Sequence, residues 1–113
     1  MNDHRVFELR TYHAAPGKLA ALHQRFREHT FAMFARHGME LVAFLSALDE
    51  PEAGSTVTYI LGFPDREAAD SAWDAFRADP DWIRAKAESE VDGTLVERLD
   101  SIFFAPTPES PLQ

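Results

Sequence analysis

The apolar and polar positions of this chain change period several times, and each change marks an element. From Arg5 to His13 (RVFELRTYH) they alternate. Phe7, Leu9 and Thr11 take one side and Val6, Glu8, Arg10 and Tyr12 the other, which predicts a strand. Ala14-Ala15-Pro16-Gly17 is a turn. Lys18 to His37 then reads as one long helix, because Leu19, Leu22, Phe26, His29, Met33 and His37 step by three and four along one face. Phe34 widens that stripe, whereas Gln24, Arg25, Arg27, Glu28 and Arg36 fall mostly outside it. Gly38 suits the residue after a helix end, where φ > 0 is wanted.

Met39 to Leu48 (MELVAFLSAL) is apolar in both alternations, as expected of a strand buried on both faces. A polar connection, Asp49 to Gly54, leads to a second strand of this hairpin, Ser55 to Phe63, rich in β-branched and aromatic residues. Asp65 is placed to cap a second helix, whose inner stripe is Ala69, Ala72, Trp73 and Phe76. Ala78-Asp79-Pro80-Asp81 interrupts it, and a shorter helix continues from Trp82 to Val91. Thr94 to Phe104 is the last strand, and residues 106–113 form an irregular Pro-rich tail. Residues 1–105 read as one domain. The order β-α-β-β-α-(α)-β is the ferredoxin-like split βαβ arrangement, an α+β fold with an antiparallel sheet and its helices on one face.

That arrangement leaves one sheet face without cover. Strand two offers Leu41, Ala43 and Leu45 on one side and Val42, Phe44 and Leu48 on the other. Strand four opposes Leu95, Leu99 and Phe103 to Val96, Ile102 and Phe104. An open patch of several hundred Å² is more than a monomer usually leaves in water. A second copy packed face to face is the simplest cover, so a homodimer is expected. The competing arrangement folds the C-terminal tail back over the patch.

The 113 residues are 45% hydrophobic and 27% charged, with a net charge of −8, which suits one globular domain. Nineteen acidic against eleven basic side chains, with Lys18 and Lys86 the only lysines, disfavour nucleic acid and anionic membranes as partners. The chain has no cysteine, which excludes disulfides and thiolate chemistry and leans toward a reducing compartment. The opening residues lack the apolar stretch of a secretory leader, and no apolar run reaches membrane-span length. A cytoplasmic location is expected.

Glu8-Leu9-Arg10-Thr11-Tyr12 with Pro16-Gly17-Lys18 resembles the opening motif of the NIPSNAP family. Phe26-Arg27-Glu28-His29-Thr30, Phe34 and His37-Gly38-Met39 are similar to its first helix and turn. Tyr59-Ile60-Leu61, Phe63, Ala72-Trp73, Phe76, Asp79-Pro80-Asp81-Trp82, Ser89-Glu90 and Asp92-Gly93 resemble its second half, and Pro106-Thr107 with Ser110-Pro111 its ending. The resemblance spans nearly the whole chain and implies a dimeric α+β barrel. Strand two departs from the pattern: Ala43-Phe44-Leu45 stands where the family typically has Gly-aromatic-Trp. Any pocket lined there changes shape, so a relative's ligand does not transfer. The wider superfamily includes cofactor-free monooxygenases, haem proteins, isomerases and stress-response proteins, and fold does not choose among them.

A cavity between helices and sheet is the expected site. His29, on the apolar stripe between Phe26 and Met33, is expected to face the sheet. It is either a core imidazole bonded to a backbone carbonyl or a proton shuttle in the cavity, with metal or haem ligation as a further alternative. Tyr12 is the candidate polariser of a ligand carbonyl or enolate. Phe26, Met33, Phe44, Tyr59, Trp73, Phe76 and Trp82 are the expected lining. The three aromatics of the second half could equally anchor helices to the sheet. Arg10 and Glu8 are expected to pair across strands with Glu97 and Arg98. Ser89 and Glu90 reach either the pocket mouth or the last helical turn. No paired-histidine metal spacing, phosphate loop or nucleophile elbow occurs, so no cofactor is expected. Two functions compete. One is a dimeric binder of a small apolar or aromatic metabolite, acting as a cofactor-free monooxygenase or isomerase if it catalyses. The other is a non-catalytic interaction or stress-response domain.

Overall fold

A computed structural model describes residues 5–113, so the first four residues of the expected domain lie outside the described residues. Strands β1 (Val6–Ala14), β2 (Glu40–Leu45), β3 (Thr56–Phe63) and β4 (Val96–Phe104) form one sheet in the order β2-β3-β1-β4. Every neighbouring pair is antiparallel. Between β1 and β2 run helix α1 (Leu19–Arg25), a π-helical turn (Phe26–Thr30) and helix α2 (Phe31–Arg36). Helices α3 (Arg66–Ala78) and α4 (Pro80–Ser89) join β3 to β4. This is the expected α+β, ferredoxin-like order.

The local stops and starts follow their chemistry. Asp65 caps α3 by accepting the Ala68 N–H at 2.7 Å. Asp79 ends α3 in extended backbone and caps α4 by accepting the Asp81 N–H at 2.9 Å, with Pro80 at the first helical position. Gly38 turns the chain after α2 at φ +70°, a conformation only glycine adopts without cost.

Two strands are shorter than their apolar runs suggest. β2 ends at Leu45, a bulge at Val42 shifts its register, and Leu48 stands 92% exposed beyond it. β2 is an edge strand, so the expectation of burial on both faces fails in the single chain. Leu95 precedes β4 and is buried in the core instead of extending the strand.

Register assigns the faces. Val57, Tyr59, Leu61 and Phe63 of β3 are all buried beneath the helices, where they meet Leu22, Phe26, Phe34, Ala69, Trp73 and Phe76. Tyr12, Arg10, Glu8 and Val6 of β1 lie opposite them on the same side. The other side carries Leu9, Ile60 and Ala43, flanked by Leu45, Ile102 and Phe104, which are 47%, 54% and 51% exposed. The chain beyond Phe104 forms no helix or strand and leaves these side chains open.

The first helical segment is where the periodic reading breaks. Its fully buried ridge is Leu22, Phe26, Thr30 and Phe34, at strict four-residue steps. In a regular α-helix, four residues overshoot a full turn by roughly 40°, so such a ridge would drift off the sheet. The π turn, in which the Phe31 N–H donates to the Phe26 carbonyl five residues back, takes up the drift. It also rephases the residues that follow, so that His29 turns outward; Arg25, three residues after Leu22 on the regular α1, is buried by ordinary helical spacing. The expectation that His29 faces the sheet is therefore corrected, as is the placing of Arg25 outside the inner stripe.

Candidate functional site

A cavity of about 180 Å³ opens between the sheet and the helices, near the end of β4 that follows α4. Its apolar wall includes Phe26 from the π turn, Phe76 of α3, Trp82 of α4, and Val96 and Leu99 of β4. Its polar groups are Tyr12, Arg25, Thr30, Lys86, Glu90 and Thr94. The volume is below the ~300 Å³ of ordinary ligand pockets but above the ~150 Å³ that admits a benzene-sized molecule. It accommodates a single ring.

Behind Tyr12 lies a buried polar network that hangs from β1. The Glu8 carboxylate, 2% exposed, receives Trp73 Nε1–H at 2.7 Å, the Ser101 hydroxyl at 2.6 Å and Arg10 Nη1–H at 2.8 Å. The Arg10 guanidinium lies 4.0 Å from the Trp73 ring centre and donates from Nε to the Tyr59 hydroxyl at 2.9 Å and from Nη2 to the Tyr12 hydroxyl at 3.2 Å. Burial works against the Arg10 charge, but the tyrosine oxygens and Glu8 outweigh it and hold the group protonated, above the ordinary arginine range. The Glu8–Arg10 pair runs along one strand, two residues apart, and not across strands to Glu97 or Arg98 as expected.

The two tyrosines share a hydrogen bond of 2.7 Å, and burial sets its direction. Tyr59 is fully buried, and burial first of all pushes its phenol well above the usual range, so it keeps its proton. Among the described residues, the acceptor within reach of that proton is the Tyr12 oxygen. A buried hydroxyl satisfies its donor where it can, so Tyr59 donates to Tyr12. Tyr12 accepts from both Tyr59 and Arg10, and the described residues provide no further acceptor for its own O–H. That donor sits on a residue lining the cavity.

Arg25, the last residue of α1 and on its buried side with Leu22, supplies the second polar feature. Its side chain is 5% exposed; Nη1 donates to Glu90 at 2.9 Å and to the Ser89 hydroxyl at 3.3 Å, and the guanidinium lies 5.3 Å from the Trp82 ring centre. Its Nε–H is buried with no partner among the described residues. Glu90 also accepts from Lys86 at 3.2 Å. Burial would raise the Glu90 pKa, but Arg25 and Lys86 together carry it below the ordinary carboxylate value.

Of the side chains singled out from sequence, Tyr12, Phe26, Phe76 and Trp82 meet at this cavity. Tyr59 and Trp73 support it from behind, as partners of Tyr12, Arg10 and Glu8. Phe44 packs on Phe26, Phe31 and Tyr59 without reaching it. Met33 and His29 line a solvent groove between the first helical segment and α4, with Glu28, Ala85 and Glu88. Arg25, Lys86 and Glu90 are the polar residues that periodicity missed or left undecided. The neighbouring Trp82 and Ser89-Glu90 were the only sequence signals in that direction. Among the described residues there is no cluster of metal-ligating side chains and no helix long and apolar enough to cross a membrane.

Comparison with known proteins supplies the context. A family model described as NIPSNAP matches residues 7–111. A NIPSNAP family protein from Agrobacterium tumefaciens strain C58 superposes with a TM-score of 0.84 at 22% identity, over 97% of this chain and 100% of that one. An uncharacterized NIPSNAP-like domain protein from Burkholderia xenovorans gives 0.81 at 20% identity, over 96% and 90%. SnoaB, described as a cofactor-independent oxygenase from Streptomyces nogalater, gives 0.63 at 18% identity, over 96% and 98%. At these identities the likeness is one of fold. No curated protein sequence matches the chain.

Proposed function

Since the chain belongs to the NIPSNAP family, we propose that it is a homodimeric small-molecule-binding protein whose helix–sheet cavity takes a single-ring apolar metabolite bearing an oxygen acceptor. The observation that carries this reading is the unspent Tyr12 O–H at the wall of an otherwise aromatic and aliphatic cavity. The Arg10 guanidinium behind it draws electron density from the Tyr12 oxygen and strengthens it as a donor. A ligand carbonyl or enolate oxygen is the partner such a donor suits.

The same arrangement supplies polarisation more readily than proton abstraction. No histidine of the described residues lines the cavity, and Glu90 is a weakened base tied to two cations. An oxygenation like the one SnoaB is described as performing would need a substrate acidic enough to ionise without a strong general base in the cavity lining. Homodimerisation through the open sheet face is supported by the apolar side chains it leaves exposed.

Calorimetry with acetophenone and ethylbenzene tests the site. Both should bind. Tyr12→Phe should weaken acetophenone about three- to ten-fold, the worth of one neutral hydrogen bond, and leave ethylbenzene unchanged. Absence of binding by either compound, or equal losses for both, would overturn the reading in favour of the non-catalytic interaction domain.

A further inference from the structure

We infer that the natural ligand of this cavity carries a carboxylate or comparable oxyanion, held by Arg25 of the cavity lining. The inference rests on the cavity being a ligand site, as proposed above, and adds the ligand's charge.

Three observations converge on it. Arg25 is a buried cation whose hydrogen bonds all leave from Nη1, while its Nε–H is buried without a partner among the described residues. An unsatisfied charged donor at such depth costs free energy that an incoming acceptor restores. Next, the cavity lining carries Arg25 and Lys86 against the single carboxylate of Glu90, an excess of one positive charge in a chain whose net charge is −8. Local positive potential on an acidic protein selects anions at that place. Finally, the Arg25–Trp82 contact sets the cation beside an aromatic wall, so an aryl or cyclic carboxylic acid could stack its ring on Trp82 and direct its charged end to the guanidinium fork.

Glu90 occupies the place of that anion from within the chain, accepting from Arg25 and Lys86. A ligand carboxylate then competes with Glu90 for the same cation. Neutralising Glu90 should therefore help an anionic ligand, whereas a Glu90 that merely aims Arg25 would, when neutralised, weaken it.

The test titrates the full chain with benzoate, benzamide and acetophenone. Benzoate should bind about ten-fold or more tighter than benzamide, and its affinity should fall with added salt while that of benzamide does not. Arg25→Gln should erase the preference for benzoate. Glu90→Gln, which leaves Arg25 in place should the first variant fold poorly, should tighten benzoate about three-fold or more. Acetophenone binding with no preference for benzoate over benzamide, or weaker benzoate binding by Glu90→Gln, would overturn the anionic assignment and leave the cavity reading standing. Failure of all three compounds would remove both.

Discussion

Glu8 shows how a residue's chemistry can be legible while its role is not. Alternation along β1 places Glu8, Arg10 and Tyr12 on one side, and the structure agrees. That this polar side goes under the helices, with Glu8 2% exposed, is not readable from alternation. The pattern of β1 has large apolar groups on both sides, and either could have been the inner one. Burial is tolerated because every charge finds partners: three donors reach Glu8, and Arg10 lies between Glu8, two phenols and the Trp73 ring. Removing one member strands the other. Glu8→Leu should cost about 3–5 kcal/mol in denaturant unfolding, and adding Arg10→Met should restore much of that loss. If the two losses simply add, the pair is not a coupled unit.

Among the elements, the joint between α3 and α4 has the most definite electrostatics. The Asp79 carboxylate accepts from the Asp81 N–H, pairs with His37 Nε2 at 2.8 Å and receives Arg36 Nη1 at 2.9 Å. The His37 hydrogen bond is the leading cause that holds its pKa down at about 2. A group whose folded pKa is depressed stabilises the fold above its unfolded value, near 4, and loses that contribution as pH falls through the folded one. The melting temperature should therefore drop between about pH 4 and 2, and drop less steeply in Asp79→Asn. Parallel curves would take Asp79 out of the acid-sensitive set. Asp79-Pro80 was legible as a break because cap and proline act within a few residues. The π turn was not, since nothing in Phe26-Arg27-Glu28-His29-Thr30 marks it locally; its cause is the need to keep Leu22, Phe26, Thr30 and Phe34 on one sheet.

For the molecule as a whole, the open sheet face carries the main expectation. Leu45, Ile102 and Phe104 remain about half exposed on a layer whose helices all lie on the other side. Sedimentation velocity at micromolar concentration should give twice the protomer mass. Ile102→Asp, which places a charge on the open face proposed to pair with a second copy, should shift the protein toward the protomer with little loss of fold. A wild-type chain sedimenting as a single protomer would sink the dimer.

The kinds and order of the elements, the cap at Asp65, the break at Asp79-Pro80, the turn at Gly38 and a sheet with apolar groups on both sides were all present in the chain's own patterns. Periods of two and of three to four, and capping chemistry, are properties of neighbouring residues. The outward turn of His29, the descent of Glu8 and Arg10 into the core, and the meeting of Tyr12 with Trp82 and Glu90 at one cavity were not. They depend on a helical phase accumulated over four turns and on contacts between segments tens of residues apart, which packing settles.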